Sequence, residues 1–259
     1  MHKISILVST VDDGLLKNPA FFKNINFDIC EVVVVQQLIQ SDKTLKLDYP
    51  AKVFSYKEKG VSLSRNKALE NASAPIALMA DDDTYFMKGF EETILNAYQQ
   101  HKDAHIITFQ AMNTEGKPFK TYSNKAYKHT FRTILKISNI EVSINLAKLQ
   151  NRKLFDENYG PGSPCICGDD TVFVVDAFNK GWNMYYQPVP IVVHPPLSSG
   201  RTYSEFQTYH KGIMYRRCFG WKSFILGLAF AIKKHKEYKK DLSFFTFLKL
   251  MWKGSMQKL

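Results

Sequence analysis

Short apolar runs without polar alternation recur along the first 200 residues, separated by segments in which apolar residues recur at helical spacing. Runs that do not alternate and are rich in β-branched residues are typical of parallel strands covered on both faces. We predict strands over residues 3–10, 30–37, 52–56, 74–80, 104–111 and 184–193. We predict helices over residues 18–26, 60–71, 86–100 and 169–180. This alternation predicts an α/β fold built on a single doubly wound, mixed but mostly parallel sheet.

Three local features of these elements are also predicted. Ser62 or Ser64 is expected to cap its helix, because a serine hydroxyl can accept a hydrogen bond from the first turn. Pro188 and Pro190 are expected to break the last strand, because proline has no N–H to donate. Segment 159–164, rich in glycine and proline, is expected to be a loop.

The strand predicted over residues 74–80 leads directly into three consecutive carboxylates, Asp81, Asp82 and Asp83. In a parallel sheet, the carboxyl end of a strand opens into the crevice where ligands bind. Adjacent carboxylates repel one another, and burying even one is costly unless it is paired. A divalent cation would relieve the repulsion, and aspartate oxygens suit Mg²⁺ or Mn²⁺. The triplet therefore predicts a metal site whose open positions the phosphates of a substrate can fill.

Two other interpretations of the triplet remain open. Asp83 or Thr84 could cap the helix predicted from Phe86 onward, although capping requires one acid and not three. Phosphatases with an aspartate nucleophile also place acids after a strand, in an Asp-x-Asp-x-Thr pattern. Tyr85 stands at the threonine position of that pattern, which disfavours this reading.

Positive charge is concentrated at the C-terminal end of the chain. Residues 1–200 hold 22 Lys and Arg against 21 Asp and Glu, a net charge of +1, whereas residues 201–259 hold 13 against 3, a net charge of +10. The apolar run 224–232 is too short to span a bilayer and has lysines on both sides. Basic amphipathic helices of this kind lie in a membrane interface; packing on the rest of the protein is the alternative. We therefore divide the chain into an α/β domain, residues 1–200, and a basic helical extension, residues 201–259.

The remaining composition adds little. The four cysteines, Cys30, Cys165, Cys167 and Cys218, fit neither a zinc-finger spacing nor a disulfide framework. Free thiols in a reducing cytosol are therefore expected. The first strand begins a few residues after Met1, so we expect no secretory signal and a cytoplasmic location. No nucleic-acid-binding motif is present, so we expect the basic extension to bind an anionic membrane surface and not nucleic acid.

Three motifs occur in a fixed order along the chain. Residues 60–69 read GVSLSRNKAL, the acidic triplet follows the next strand, and residues 168–171 read GDDT. In this order the chain resembles bacterial family 2 glycosyltransferases of the surface-polysaccharide type. Their pattern is a Gly-Val-Ser-x-Ala-Arg-Asn helix, an aspartate-rich metal motif and a Gly-Glu-Asp motif. Each motif is weak alone, but three in register over residues 3–200 make the resemblance specific.

The resemblance implies the glycosyltransferase A fold, a nucleotide-diphospho-sugar donor, most simply a UDP-sugar, and a divalent Mn²⁺ or Mg²⁺ ion. Asp82 and Asp83 match the family's metal-contacting pair, and Asp81 the position before them. Arg65 matches an arginine near the nucleotide. His194 is expected to contact the metal, although a histidine beside two prolines is as often a packed loop residue. Further residues expected in the nucleotide-sugar site, besides Asp81 and Asp82, are Ser9, Thr10, Val11, Gln36, Asn66, Ser198, Ser199 and Arg201.

The resemblance also implies a catalytic pair. Asp170 matches the aspartate that acts as general base on the acceptor hydroxyl, and Asp169 stands in the glutamate position. One carboxylate placed across the sugar from the leaving diphosphate suits an inverting, single-displacement reaction. Helix capping is the alternative, and it accounts for only one of the two acids.

One departure from the family concerns the nucleobase. The family usually has Asp-Asp-Gly-Ser after the second strand, where this chain has Gln36, Gln37 and Leu38. A glutamine amide can hydrogen-bond the edge of a base, but it leaves the identity of the base open.

Together these features predict a metal-dependent inverting glycosyltransferase at the inner face of the cell membrane. It would transfer a sugar to a saccharide or lipid-linked acceptor in the synthesis of a surface polysaccharide. A non-catalytic sugar-nucleotide-binding protein, a membrane-tethered scaffold and a nucleotidyltransferase of similar fold are the alternatives. A nucleotidyltransferase would need a glycine- and lysine-rich loop after the first strand, and residues 11–14 are not such a loop.

Overall fold

A computed structural model describes residues 2–195, 203–257 and 259. The chain forms two compact units. The first unit holds residues 1–59, 63–154 and 177–196, and the second holds residues 60–62, 155–176 and 197–259. The basic C-terminal region, which the sequence placed in a domain of its own, thus shares a unit with residues 155–176.

The first unit is built on one sheet. Its strands are β1 Ile4–Val11, β2 Cys30–Gln37, β3 Ala51–Tyr56, β4 Ile76–Asp81, β5 Tyr85–Phe86, β6 Ile106–Asn113, β7 Tyr127–Lys128, β8 Val142–Asn145 and β9 Met184–His194. The α-helices of the described residues are α1 Val61–Asn71, α2 Phe90–Gln100, α3 Phe131–Ile134, α4 Asp169–Asn179, α5 Glu205–Phe219, α6 Ser223–Tyr238 and α7 Phe244–Ser255, and the helix predicted over residues 18–26 is only a 3-10 turn, Pro19–Phe22.

The strand order is β3-β2-β1-β4-β8-β6-β9-β5, with β7 paired to β9. Strands β1 to β4 are mutually parallel, and β6 is parallel to β9, whereas β8 runs antiparallel to both of its neighbours. This confirms the single mixed, mostly parallel sheet predicted from the non-alternating runs. Every residue of β2 is buried, as expected for a central strand covered on both faces.

Two local predictions were wrong. Strand β9 is not broken by its prolines but continues for 11 residues. The β6–β9 ladder shifts register around Gln110, which lies opposite Pro190, so the proline falls where the regular hydrogen bonding is already interrupted. Ser62 and Ser64 do not cap α1, because the helix begins at Val61 and both serines lie inside its first turn.

The hydroxyls of these two serines make tertiary contacts instead. The Ser62 Oγ donates to the carbonyl oxygen of Tyr159 at 2.6 Å, within the second unit. The Ser64 Oγ donates to the carbonyl oxygen of Val35 at 3.4 Å, within the first. Other predictions were confirmed: residues 159–164 form an irregular turn, and α4 ends just before Gly181, whose φ is +74°.

In the second unit, α5 and α7 cross at two glycines. A Cβ added at Gly212 would lie 2.2 Å from the carbonyl oxygen of Met251, and one added at Gly254 would lie 2.1 Å from that of Tyr209. Both obstacles are backbone atoms, which cannot rotate away. The two helices can therefore approach this closely only because both positions lack a side chain.

We expect Gly212→Ala or Gly254→Ala to lower the free energy of unfolding by about 1–3 kcal/mol or more, because the helices must separate. Gly227→Ala in α6 is the matched control. The added Cβ there would meet its nearest atom, Cε of Met251, at 3.7 Å, an ordinary contact. Urea unfolding followed by far-ultraviolet circular dichroism measures the difference. Equal midpoints for the three variants would contradict the close crossing.

Candidate functional site

The ends of β4 and β9 bring together two carboxylates and one imidazole. Asp81 is the last residue of β4, Asp83 lies in the turn that follows, and His194 is the last residue of β9. One ligand atom from each of the three lies within 4.8 Å of the others. Asp83 is half exposed and His194 is buried, so the group is open to solvent on one side. We call these three residues the acidic cluster.

The hydrogen bonding of His194 fixes which nitrogen faces the cluster. Its Nδ1 lies 2.5 Å from the carbonyl oxygen of Pro195, which can only accept, so Nδ1 carries the proton. The other ring nitrogen, Nε2, lies 3.4 Å from Asp83 Oδ1. Histidines that bind metals show this pattern, with the remote nitrogen held by a carbonyl group.

The donor set of the acidic cluster fits a divalent cation. Two carboxylates and an imidazole nitrogen lie close together, and a cation between them would compensate the negative charge of the carboxylates. Burial raises the pKa of Asp83; His194 opposes this shift and the negative charge of Asp81 adds to it. Carboxylate oxygens suit Mg²⁺ and Mn²⁺, and the imidazole nitrogen makes the set better suited to the softer Mn²⁺.

Arg65 forms an ion pair with the Asp81 carboxylate. Its Nη2 lies 3.1 Å from Asp81 Oδ1, and the guanidinium is almost completely buried. With the Asn139 amide turned so that its oxygen faces Arg65, that oxygen accepts from Nε at 3.1 Å and from Nη2 at 3.2 Å. A charge-assisted bond from a buried, fixed guanidinium orients the carboxylate.

Asp82 faces away from the acidic cluster. Its Oδ2 accepts a 2.5 Å hydrogen bond from the Thr10 hydroxyl at the end of β1. A Cβ at Gly14 would lie 2.5 Å from the same oxygen, so only glycine leaves room for this contact. Burial raises the pKa of Asp82, and the bond from Thr10 opposes the shift. The structure therefore groups Asp81, and not Asp82, with the predicted metal contacts Asp83 and His194.

The turn that carries the triplet is held by side chains. Asn18 Nδ2 donates to the carbonyl oxygens of Asp82 and Thr84 at 3.1 and 2.7 Å. The Thr84 hydroxyl donates to the carbonyl oxygen of Asp81 at 2.7 Å. The capping alternative for Asp83 and Thr84 was wrong, because α2 begins at Phe90 with Gly89 as its N-cap.

The residues predicted to contact the nucleotide lie at the ends of β1 and β2 and inside α1. Ser9 Oγ donates to Ser64 Oγ at 2.6 Å, and Val11 is exposed. The Asn66 amide oxygen accepts from the backbone N–H of Leu154 at 3.0 Å. Ser9 and Val11 lie at the carboxyl end of β1, beside the end of β4 from which the acidic triplet emerges, whereas Asn66 lies inside α1.

Gln36 is fully engaged in holding the loop after β2. Its Nε2 donates to the carbonyl oxygens of Asp12 and Lys43 at 2.8 and 2.9 Å. Its Oε1 accepts from the N–H of Leu45 at 3.0 Å and from the Ser55 hydroxyl at 2.7 Å. The buried amide thus has a structural role here, whatever it contributes to a nucleobase contact.

Asp169 and Asp170 form the first turn of α4 in the second unit. Gly160, with φ +107°, packs on Asp169: a Cβ there would lie 2.9 Å from the Asp169 Cβ. Arg217 of α5 braces the other end of α4, where its Nη1 and Nη2 fork onto Asp176 at 3.0 and 2.7 Å. Ser198, Ser199 and Arg201 lie outside the described residues.

Residues 32–159, just under half of the chain, match the sequence model of the family described as Glycosyl transferase family 2. A search of curated proteins found no match.

Solved structures of TarS from S. aureus share the fold. The chain matches TarS 1–349 with a TM-score of 0.65 at 13% identity, over 96% of this chain and 81% of that one. It matches TarS 1–349 in complex with UDP-GlcNAc with a TM-score of 0.67 at 15% identity, over 96% and 79%. For the complex with UDP the TM-score is 0.64 at 14% identity, over 93% and 75%. The sheet thus has the glycosyltransferase A fold, and the family match and the fold together support a glycosyltransferase.

Proposed function

We propose that this chain is a metal-dependent, inverting family 2 glycosyltransferase with a nucleotide-diphospho-sugar donor. The observation that carries the proposal is the acidic cluster: Asp81, Asp83 and His194 converge at the carboxyl end of the sheet. The match of residues 32–159 to the family supports the reaction class. The fold shared with TarS structures that contain UDP and UDP-GlcNAc supports a UDP-sugar donor.

In this proposal the carboxylates of Asp81 and Asp83 and Nε2 of His194 would hold Mn²⁺ or Mg²⁺. A bound ion would supply positive charge beside the departing nucleoside diphosphate. Arg65 keeps the Asp81 carboxylate in place, and the pair of Thr10 and Asp82 shapes the neighbouring wall of the donor site.

The second role belongs to Asp170. Its carboxylate accepts the proton of an acceptor hydroxyl as that oxygen bonds to the anomeric carbon and the bond from this carbon to the diphosphate oxygen breaks. One displacement inverts the anomeric configuration. Asp169, at the glutamate position of the family's motif, is the second member of the catalytic pair. The acceptor is a saccharide or lipid-linked saccharide of a surface polysaccharide.

A panel of nucleotide sugars tests the assignment. Each donor is incubated with the protein and Mn²⁺, and both the thermal midpoint and the release of nucleoside diphosphate are recorded. We expect at least one UDP-sugar to raise the midpoint and to be hydrolysed slowly without an acceptor. A raised midpoint without hydrolysis or transfer would indicate a non-catalytic binder, and no change with any donor would contradict the donor site.

We further propose that α6 and α7 attach the protein to an anionic membrane at the inner face of the cell membrane. Large apolar side chains stand in solvent there: Phe245 is 80% exposed, Trp221 66%, Ile232 63% and Ile225 61%. Exposed lysines occur in the same part of the chain, namely Lys222, Lys233, Lys236, Lys239, Lys240, Lys249 and Lys253. Among the described residues, none of the helices has both the length and the apolar character needed to cross a bilayer.

An apolar face with basic neighbours suits the headgroup layer of an anionic bilayer. Ile225 and Ile232 are seven residues apart, two helical turns, so they lie on one face of α6, and Trp221 precedes that face by one turn. We expect the triple change of these residues to Ser to weaken binding to phosphatidylglycerol vesicles by on the order of tenfold for each residue, because each loses its buried apolar area. Cosedimentation measures this.

Leu16→Ser, at a position 52% exposed in the first unit, is the control and should bind as the unmodified protein does. If the triple variant bound vesicles as strongly as the unmodified protein, this face of α6 would not be the membrane-binding surface. A change in oligomeric state instead of vesicle binding would make this face an interface between copies.

A further inference from the structure

A polar cavity lined by residues outside the acidic cluster lies in the first unit. It encloses about 180 Å³ and adjoins an open recess of about 500 Å³. Both are lined by Lys120, Thr121 and Tyr122. Tyr186, which lines the cavity, precedes His194 by eight residues along β9, and the ring of Phe119, between the lining residues Pro118 and Lys120, packs edge-on against His194 with centroids 5.1 Å apart. We call this pair of spaces the Glu141 cavity.

A buried ion pair forms one wall. Glu141 is almost fully buried, and its Oε2 lies 2.8 Å from Lys120 Nζ. Its Oε1 accepts a 2.5 Å hydrogen bond from the Tyr122 hydroxyl. Burial raises the pKa of Glu141, and Lys120 opposes the shift. Since burying such a pair costs stability that an apolar core would not lose, its presence beside a cavity is typical of a binding site.

The opposite wall is neutral and polar. His129 is buried, with Nε2 2.8 Å from the Thr108 hydroxyl and Nδ1 3.1 Å from the Thr133 hydroxyl. Burial lowers the pKa of His129 to about 4, so the ring is uncharged at neutral pH. The charges of Lys120 and Glu141 compensate each other, and the carboxylate disfavours an anionic guest. These walls suit a neutral ligand better than a phosphate or nucleotide.

Aromatic rings complete the lining. The rings of Tyr127 and Tyr186 stack at 4.6 Å with an interplanar angle of 27°. The Tyr186 hydroxyl donates to the carbonyl oxygen of Ser123 at 2.8 Å, which fixes the ring. Ring faces beside hydroxyl and amide groups match a pyranose, whose C–H face is apolar and whose edge carries hydroxyl groups.

We propose that the Glu141 cavity binds a neutral pyranose unit of a glycan, at a site separate from the acidic cluster. The cavity itself takes one sugar unit and the recess admits its neighbour in the chain. Because none of its lining residues belongs to the acidic cluster, the proposal stands whether or not that cluster holds a donor.

Saturation-transfer-difference NMR with methyl glycosides of glucose, galactose, N-acetylglucosamine and N-acetylgalactosamine tests the proposal on the full chain. We expect a saturation-transfer signal from at least one methyl glycoside. This signal should not decrease when UDP and Mn²⁺ are added. Tyr127→Ala should abolish the signal by removing the stacked ring. Thr121→Arg, at an exposed position on the rim, should abolish it by filling the mouth without removing any buried group.

Tyr49→Ala, at a position 43% exposed elsewhere in the first unit, is the matched control and should leave the signal unchanged. The absence of a saturation-transfer signal from all four glycosides would overturn the proposal. A signal that persists in both cavity variants would also overturn it. So would a signal that is lost on addition of UDP or inorganic phosphate, because the glycoside would then bind at an anion-binding site and not in the Glu141 cavity.

Discussion

Replacing Asp83 by Asn is expected to weaken the Mn²⁺-dependent binding of UDP by on the order of 100-fold or more. Residues that merely orient a metal ligand already contribute about 10–100-fold to affinity, and Asp83 supplies a ligand atom itself. The change keeps the shape of the side chain and removes its charge, so the acidic cluster retains one carboxylate instead of two. Isothermal titration of UDP in the presence of Mn²⁺ measures the effect.

Asp28→Asn is the matched control for that experiment, because Asp28 is an exposed aspartate of the same unit outside the acidic cluster. It should bind UDP as the unmodified protein does. If Asp83→Asn also bound UDP with unchanged affinity, Asp83 would not be a metal ligand.

The second large effect is expected for Asp170→Asn. General-base catalysis contributes about 10²–10⁴-fold, and an amide cannot accept the proton of the acceptor hydroxyl. Transfer should therefore fall by about that factor, while the affinity for UDP with Mn²⁺ stays the same. Single-turnover transfer from the donor that the panel identifies, together with titration of UDP, separates the two quantities.

Asp176→Asn, in the same helix, controls for damage to α4. The Asp176 carboxylate holds Arg217, so its loss should lower the thermal midpoint and leave transfer by the folded protein nearly intact. Equal losses of transfer in the two variants would point to a structural role for Asp170, and unchanged transfer in Asp170→Asn would exclude it as the base.

The strands and the acidic turn could be predicted because their signals are local. A non-alternating run such as β2 reads as buried, and a strand that ends in carboxylates places them at the ligand-binding edge. The choice between Asp81 and Asp82 had no such signal. Asp82 and Asp83 lie in a turn, where side chains do not alternate as in a strand, and Asp82 is distinguished only by its contact with Thr10 of β1.

Other parts of the site had no signal in the sequence. Asn139 reaches Arg65 from a segment more than seventy positions away, and Asn18 holds a turn 64 positions further along. Gly14 is required only because it lies against Asp82 in the folded chain. Such contacts depend on strand order, which pattern alone does not fix.

The same limit applies to the Glu141 cavity and to the second unit. The cavity is assembled from β6, β9 and the segment between residues 120 and 141, none of which carries a motif. The sequence assigned residues 155–176 to the α/β domain because the family resemblance extends over residues 3–200, whereas they form a unit with α5, α6 and α7. Packing between segments far apart in the sequence determines both the Glu141 cavity and the unit to which residues 155–176 belong.

The most direct test of the central claim is the mutual dependence of cation and nucleotide. Free Mn²⁺ is titrated with the unmodified protein and followed by electron paramagnetic resonance, first alone and then with UDP. If the acidic cluster holds the ion that holds the diphosphate, UDP will increase the affinity for Mn²⁺, and Mn²⁺ will increase the affinity for UDP by the same factor. Mn²⁺ affinity that is indifferent to UDP, together with undiminished UDP binding in a chelator, would contradict the account.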